Sequence, residues 1–77
     1  MERKLMRLTE LVPYCAGRVD HVEDYALKGR LESLGLTPGA ETVRLFSAAA
    51  GEPTAYSIRG SVIALRDHDA ERVIVWA

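Results

Sequence analysis

One histidine of this chain lies between two carboxylates, in the stretch Asp67, His68 and Asp69. Imidazole and carboxylate groups together are typical ligands of zinc and related divalent ions. Side chains at successive positions of a helix do not face one another, so these three cannot converge on one ion. Capping of a helical turn explains the aspartates better, with Asp67 as the N-cap and Asp69 near the positive end of the helix dipole.

The second histidine, His21, lies close to Asp20 and Glu23. His21 and Glu23 could share one face of a strand, but two ligands do not complete a tetrahedral site. No Cys-x-x-Cys or His-Glu-x-x-His motif accompanies them. We therefore expect solvated surface here, no metal site in the chain and no cofactor.

Neither cysteine chemistry nor enzyme chemistry is indicated. Cys15 is the only cysteine, which excludes an internal disulfide, and we expect it to be a small, half-buried core residue. The sequence lacks a nucleophile elbow, a phosphate-binding glycine loop and a spaced pair of carboxylates. A small core also leaves little room for a ligand pocket of about 300 Å³. These observations predict a protein that is not an enzyme.

A chain of 77 residues has room for one compact core, so residues 1–77 are read as a single domain. Ten basic residues against eleven acidic ones leave no positive surplus for nucleic acid. The first residues lack the apolar region of a secretory signal, and no stretch approaches the roughly 18 apolar residues of a membrane span. We expect a soluble, cytoplasmic protein that does not bind nucleic acid.

The stretch between residues 9 and 34 changes its hydrophobic period. Thr9 and Pro13 bound about one helical turn. Val19 and Val22 then predict a short strand with a bend, since their spacing breaks strict alternation. The segment Tyr25–Leu34 is predicted to form the one substantial helix, because leucines recur on one of its faces at i, i+4 and i+7. These leucines are Leu27, Leu31 and Leu34.

The sequence LESLGLTPG combines a helix end with a turn. If Leu34 is the last helical residue, Gly35 takes a left-handed conformation and Leu36 packs back onto Leu31, as in a Schellman cap. Pro38 and Gly39 suit the centre of a type II turn, which leads into the next strand.

The C-terminal half predicts short strands. ETVRLF forms one strand, with Val43 and Leu45 on one side. TAYSIRGSVIALR forms a hairpin whose turn is Arg59 and Gly60. In this register Ile58 faces Ser61, Tyr56 faces Ile63 and Thr54 faces Leu65, which places Tyr56, Ile58, Ile63 and Leu65 on one face. VIVWA forms the last strand. Five strands with one inserted helix in so short a chain favour a small closed barrel.

Two blocks of this sequence resemble the FeoA family of small bacterial ferrous iron transport proteins. The first is GRLESLGLTPG, and the second is AGEPTAYSIRGSVIALRDHDAERVIV. Together they extend from Val19 to about Val75. The structural motif positions that match are Gly35, Leu36, Pro38, Gly39, Gly51, Pro53 and Gly60. The chain departs from the family at Glu52 and Ala49, and it has Thr42 and Arg44 at strand positions that are usually apolar.

The resemblance implies a mainly β fold, a five-stranded SH3-like barrel with one inserted α-helix and short helical turns. It also implies a non-enzymatic accessory role beside FeoB, the membrane permease that imports ferrous iron, so that contact with a membrane comes only through this partner. The alternative is a free-standing relative of the C-terminal barrel domain of metal-responsive repressors. Only Met1–Gly17 precede the predicted barrel, with no helix-turn-helix, which favours the first role. A groove for proline-rich peptides would need clustered exposed aromatic residues. Self-association stays open.

A protein without catalytic groups acts by contact, and arginines are enriched at interfaces. The sequence places Arg59 at the hairpin tip, Arg66 at the end of the following strand and Arg30 on the helix away from the leucine face. We expect these three residues to take part in partner binding.

Overall fold

The computed structural model describes residues 2–77, which form a mainly β fold with one sheet of six antiparallel strands. The strands are β1 (Leu5–Arg7), β2 (Ala16–Val22), β3 (Glu41–Ser47), β4 (Thr54–Ile58), β5 (Ser61–Leu65) and β6 (Val73–Trp76), in the spatial order β1-β6-β2-β3-β4-β5. The helices are α1 (Lys28–Ser33) and α2 (Asp67–Ala70), and a 3-10 turn spans Leu8–Glu10. No helix in the described part of the chain has the length and apolarity needed to cross a membrane.

The sheet is not closed, so the prediction of a closed five-stranded barrel is wrong in two respects. A sixth strand, β1, pairs with β6, and β1 and β5 remain as free edges. The sequence did not indicate β1 because three residues, Leu5–Arg7, are too few to show alternation.

One buried cluster forms the hydrophobic core against the sheet. Its members are Leu8, Leu11, Val19, Val22, Leu31, Leu36, Tyr56, Ile58, Leu65, Ala70, Val73 and Val75. The bend predicted in β2 is confirmed, because the pairing of β2 with β6 shifts register between Val19 and His21. This bulge lets Val19 and Val22, three residues apart, both point into the core.

The β4–β5 hairpin has the predicted register. Ile58 pairs with Ser61, Tyr56 with Ile63 and Thr54 with Leu65. Arg59 and Gly60 form the two-residue turn with positive φ angles of 48° and 80°, as a type I′ turn requires. Tyr56, Ile58 and Leu65 are buried, and Ile63 packs against the core from the same face.

The helix α1 is shorter than the predicted Tyr25–Leu34. Leu27 has non-helical angles and precedes the first helical residue without a side-chain cap, because a leucine cannot accept a hydrogen bond from the backbone. Gly29 lowers the helix propensity further. The preceding residues form turns instead, with the Lys28 N–H donating to the Tyr25 carbonyl.

The end of α1 is the predicted Schellman cap. The Leu36 N–H donates to Leu31 O at 3.2 Å, the Gly35 N–H donates to Glu32 O at 3.0 Å, and Gly35 has a φ of 110°. Leu31 and Leu36 are both in the core. The following reversal is confirmed as well, since the Ala40 N–H donates to Thr37 O and Gly39 has a φ of 89°.

Two of the polar residues of β3, Thr42 and Arg44, face the core side, opposite Ile58 and Tyr56. Thr42 is buried, and Arg44 is half-buried. The Arg44 Nη1 donates to the carbonyls of Thr9 and Leu11, both at 2.9 Å. These bonds anchor the 3-10 turn and the loop that follows it. Thr9 is not the N-cap that the sequence predicts, because it lies within the 3-10 turn.

The loop between β3 and β4 caps α2. Gly51 has a φ of 94° and donates its N–H to Ala48 O, and Pro53 accepts from the Ala48 N–H. The Asp67 N–H donates to Glu52 Oε1 at 2.8 Å. Asp67 was predicted to be the N-cap, but the N-cap is Arg66, and the carboxylate of Glu52 bonds to the first helical N–H instead.

Replacing Gly35 by alanine is expected to destabilise the fold. Besides the positive φ, the added Cβ would lie 2.9 Å from Ile58 Cγ2 and 3.0 Å from Arg59 Cδ. Backbone strain of this kind costs on the order of 1–3 kcal/mol, which lowers the Tm of a small domain by roughly 10 °C. Thermal unfolding followed by circular dichroism measures the change.

The matched control is Gly29→Ala. Gly29 lies in α1, and a Cβ there meets nothing within 4 Å. Alanine should therefore stabilise this variant by about 0.5 kcal/mol through its higher helix propensity. A Gly35→Ala protein as stable as the unmodified chain would show that the cap does not constrain the fold.

Candidate functional site

A groove of about 190 Å³ separates α1 from the end of β5. It is smaller than the roughly 300 Å³ of most small-molecule sites, and it matches one or two side chains. Its lining residues are Leu27, Arg30, Leu31, Leu34, Ala64, Leu65, Arg66 and Asp69. The groove is therefore lined by leucine and alanine side chains of a helix and a strand, together with charged residues from both sides.

The leucine face predicted for the helix is present but only partly buried. Leu31 is 2% exposed and belongs to the core, whereas Leu27 is 41% exposed and Leu34 is 39% exposed. All three line the groove. The sequence pattern predicts the leucine face of the helix but not how exposed its leucines are. Their burial depends on how much of the helix packs on the sheet, which the sequence pattern does not give.

Arg30 and Arg66 were both predicted to bind a partner, and the fold brings them to the same groove. Neither guanidinium has a carboxylate partner or a side-chain hydrogen bond within residues 2–77. The short α1 positions Arg30, and the end of β5 positions Arg66. Two unpaired guanidiniums beside exposed leucines form a surface suited to an apolar partner that carries a carboxylate.

Asp69, the acidic residue of the groove, is already engaged. Its Oδ1 accepts a hydrogen bond of 2.9 Å from the Tyr25 hydroxyl. Desolvation by burial, and then the bond to Asp69, raise the pKa of Tyr25 to about 12. The Arg72 guanidinium lies over the Tyr25 ring, 5.1 Å from its centroid. The neutral tyrosine thus connects the segment before α1 to α2 and holds the groove's two sides together.

Arg59 lies elsewhere. Its Nη2 donates to Thr37 Oγ1 at 2.9 Å and its Nε donates to Gly35 O at 3.4 Å, so it connects the hairpin tip to the end of α1. It borders a wider, open depression of about 510 Å³ between the Pro38–Gly39 and Arg59–Gly60 turns. This volume exceeds the pocket size expected from the sequence, but no large apolar side chain is exposed there. The role of Arg59 in partner binding stays a prediction.

The histidines make no metal constellation in the described residues. Within residues 2–77, no three His, Cys, Asp or Glu side chains converge on a point. The His21 Nδ1 lies 2.7 Å from Asp20 Oδ2, and the Trp76 Nε1 donates to Asp20 Oδ1 at 2.9 Å. The bonds from His21 and Trp76 hold the pKa of the Asp20 carboxyl below its usual value. Asp20 is therefore a local hydrogen-bond acceptor, and His68 lies exposed on α2.

The carboxylate of Glu23 and the thiol of Cys15 are two further groups that can bind metal, and neither belongs to a metal site among residues 2–77. Glu23 accepts from Arg7 Nη1 at 2.8 Å, which lowers the pKa of the Glu23 carboxyl. Cys15 is exposed, so the expectation of a half-buried core cysteine is wrong. It lies in the turn that leads into β2, where the Cys15 N–H donates to Val12 O.

A family model described as the FeoA domain matches residues 6–76. The chain belongs to the FeoA family. FeoA from Stenotrophomonas maltophilia has a TM-score of 0.83 and 32% identity over 91% of this chain and 88% of its own. That protein was solved in complex with zinc and is described as a prokaryotic SH3-domain protein proposed to activate ferrous iron transport. The predicted SH3-like fold is thus confirmed, with six strands in an open sheet.

Two further solved members of the FeoA family are similar. Iron(II) transport protein A from Clostridium thermocellum has a TM-score of 0.84 and 31% identity over 91% of this chain. This chain covers 44% of the length of that one. A FeoA described as an iron uptake regulatory protein has a TM-score of 0.80 and 32% identity over 94% of both chains. A comparison with curated protein sequences gave no match.

The isolated chain is expected to bind neither ferrous iron nor zinc more tightly than about 10 μM, because a tight site needs three or four converging ligands. Anaerobic titration calorimetry measures this directly. Stoichiometric, tight uptake that is lost in His21→Ala or His68→Ala would contradict the prediction and would identify the ligand.

Proposed function

We propose that this FeoA protein is a non-enzymatic accessory factor of ferrous iron transport that docks on the cytoplasmic part of the FeoB permease. Membership of the family, together with the roles in iron(II) transport given for its solved relatives, supports a role in ferrous iron transport. The observation that carries the docking proposal is the groove in which unpaired Arg30 and Arg66 flank the half-exposed Leu27 and Leu34.

The chemistry of this groove favours a protein partner. Arginines at an interface form bidentate bonds with carboxylates, and apolar contacts around them exclude water, which makes such an arginine a frequent main contributor to the binding free energy. The proposed effect on transport is a shift of the permease between conformations. Docking shifts that equilibrium only if FeoA binds one conformation more tightly than the other. Function in the cytoplasm and contact with the membrane through FeoB alone are part of this proposal.

Charge reversal in the groove should weaken recovery of FeoB. Arg66→Glu and Arg30→Glu are each expected to reduce affinity about tenfold, equivalent to about 1.4 kcal/mol, because each replaces an attractive charge by a repulsive one. The measurement is capture of detergent-solubilised FeoB on immobilised FeoA. Arg3→Glu is the matched control, since Arg3 is exposed and lines a separate depression beside Trp76.

The same variants distinguish transport from regulation in cells. Deletion of the protein should lower ferrous iron uptake, and the Arg66→Glu protein should fail to restore it while the Arg3→Glu protein restores it. Normal uptake in the deletion strain, together with no recovery of FeoB, would contradict the proposal. That result would favour the alternative, a regulatory module related to the barrel domain of metal-responsive repressors.

A further inference from the structure

We propose that the partner docks by adding an extended strand to the free edge of β5, with an apolar side chain in the groove and a carboxylate between Arg30 and Arg66. This inference rests on the proposed function and specifies its binding mode. The occupant is an extended segment of the permease that combines an apolar side chain with an acidic one.

The hairpin register leaves one edge of β5 with unpaired backbone groups. In a two-residue hairpin the residues that flank the turn exchange both hydrogen bonds, and such pairs recur at every second residue. Ser61, Ile63 and Leu65 are therefore the residues of β5 that bond to β4. The N–H and C=O groups of Val62 and Ala64 point away from β4, and none has a hydrogen-bond partner among residues 2–77.

The edge of β5 lacks the features that normally protect an edge strand. Ser61–Leu65 contains no charge and no proline, and Val62 is 62% exposed. The opposite edge, β1, has only three residues and ends at Arg7, whose Nη1 donates to Glu23 and to the carbonyl of Glu71. Proteins protect edge strands by shortness and by charge, so β1 is protected and β5 is open to pairing.

The groove between α1 and β5 lies beside this same edge. Ala64 and Leu65 line it from β5, and Leu27 and Leu34 line it from α1. Side chains of a strand alternate between two faces, so a strand paired with Ala64 directs alternate side chains into the groove. A volume of about 190 Å³ accepts one such side chain of leucine size with room at its margin. Main-chain bonds would supply affinity and the groove would supply specificity.

The charge of the groove selects an acidic segment over a second copy of this chain. Asp69 accepts a hydrogen bond from Tyr25 and forms no ion pair with Arg30 or Arg66, so both guanidiniums remain without a carboxylate among residues 2–77. Two β5 strands paired antiparallel about Ile63 would set Ala64–Arg66 of one copy against residues 60–62 of the other, none of which is acidic. Pairing between the β5 strands of two copies would therefore leave Arg30 and Arg66 without an anion.

Amide hydrogen exchange tests this mode without any substitution. In the protein alone, the amides of Val62 and Ala64 should exchange rapidly, since neither has an acceptor. Addition of full-length, detergent-solubilised FeoB should slow both at least about tenfold, as formation of ladder hydrogen bonds requires. The amide of Ala49, in the exposed loop after β3, should remain fast. If exchange of the Val62 and Ala64 amides slows as the concentration of this protein rises in the absence of FeoB, the occupant is a second copy and the proposal is overturned.

A proline on the edge provides the second test. Val62→Pro removes an N–H that β4 does not use, and proline is tolerated on an edge strand where its nitrogen faces solvent. Its capture of FeoB should be at least tenfold weaker, whereas the matched Val62→Ala protein should bind normally. Amide spectra of Ser61 and Ile63 verify that the hairpin is intact.

The outcomes separate the binding mode from the function. One outcome overturns strand addition and leaves docking in place. In it, Arg66→Glu weakens the capture of FeoB, Val62→Pro captures FeoB normally, and FeoB does not slow exchange of the Val62 and Ala64 amides. If the unmodified protein captures no FeoB and deletion leaves uptake normal, the proposed function itself fails.

Discussion

The end of α1 lies against the β4–β5 hairpin at a distance that only glycine permits. A Cβ on Gly35 would lie 2.9 Å from Ile58 Cγ2, which is closer than carbon atoms that are not bonded to each other approach in proteins. Because the Gly35 backbone occupies this space, the Arg59 side chain can reach back to Gly35 O and Thr37 Oγ1. The hairpin tip and the helix end are thereby fixed to each other, and the orientation of α1 beside β5 follows from that contact.

The groove is a consequence of this fixed geometry. Leu31 in α1 and Leu36 after its end are both buried and hold the helix to the core, while the bond from Tyr25 to Asp69 holds the segment before α1 to α2. With both ends held, a helix of only six residues cannot cover the end of the sheet. Leu27 and Leu34 therefore remain half-exposed, and the edge of β5 remains uncovered. Restraint of the helix thus leaves Leu27 and Leu34 available to the partner that we propose.

Local signals in the sequence predicted the parts of the fold that depend on neighbouring residues. The hairpin register, the Schellman cap at Gly35 and the turn at Gly39 were all predicted, since each follows from a few adjacent residue types. The strand β1 and the capping of α2 by Glu52 were not, because their partners lie far along the chain. The groove was missed for the same reason. Arg30 and Arg66 were chosen singly, and their convergence depends on tertiary packing.

In the docking that we propose, FeoB contacts the groove between α1 and β5. A benzophenone side chain introduced at position 34 or at position 46 tests it directly in living cells. Leu34 lines the groove, whereas Phe46 is 62% exposed on β3 and does not line it. Illumination should crosslink FeoB to the protein that carries the label at Leu34 and not to the one labelled at Phe46. Crosslinks to FeoB from Phe46 alone, or from neither position, would contradict the account.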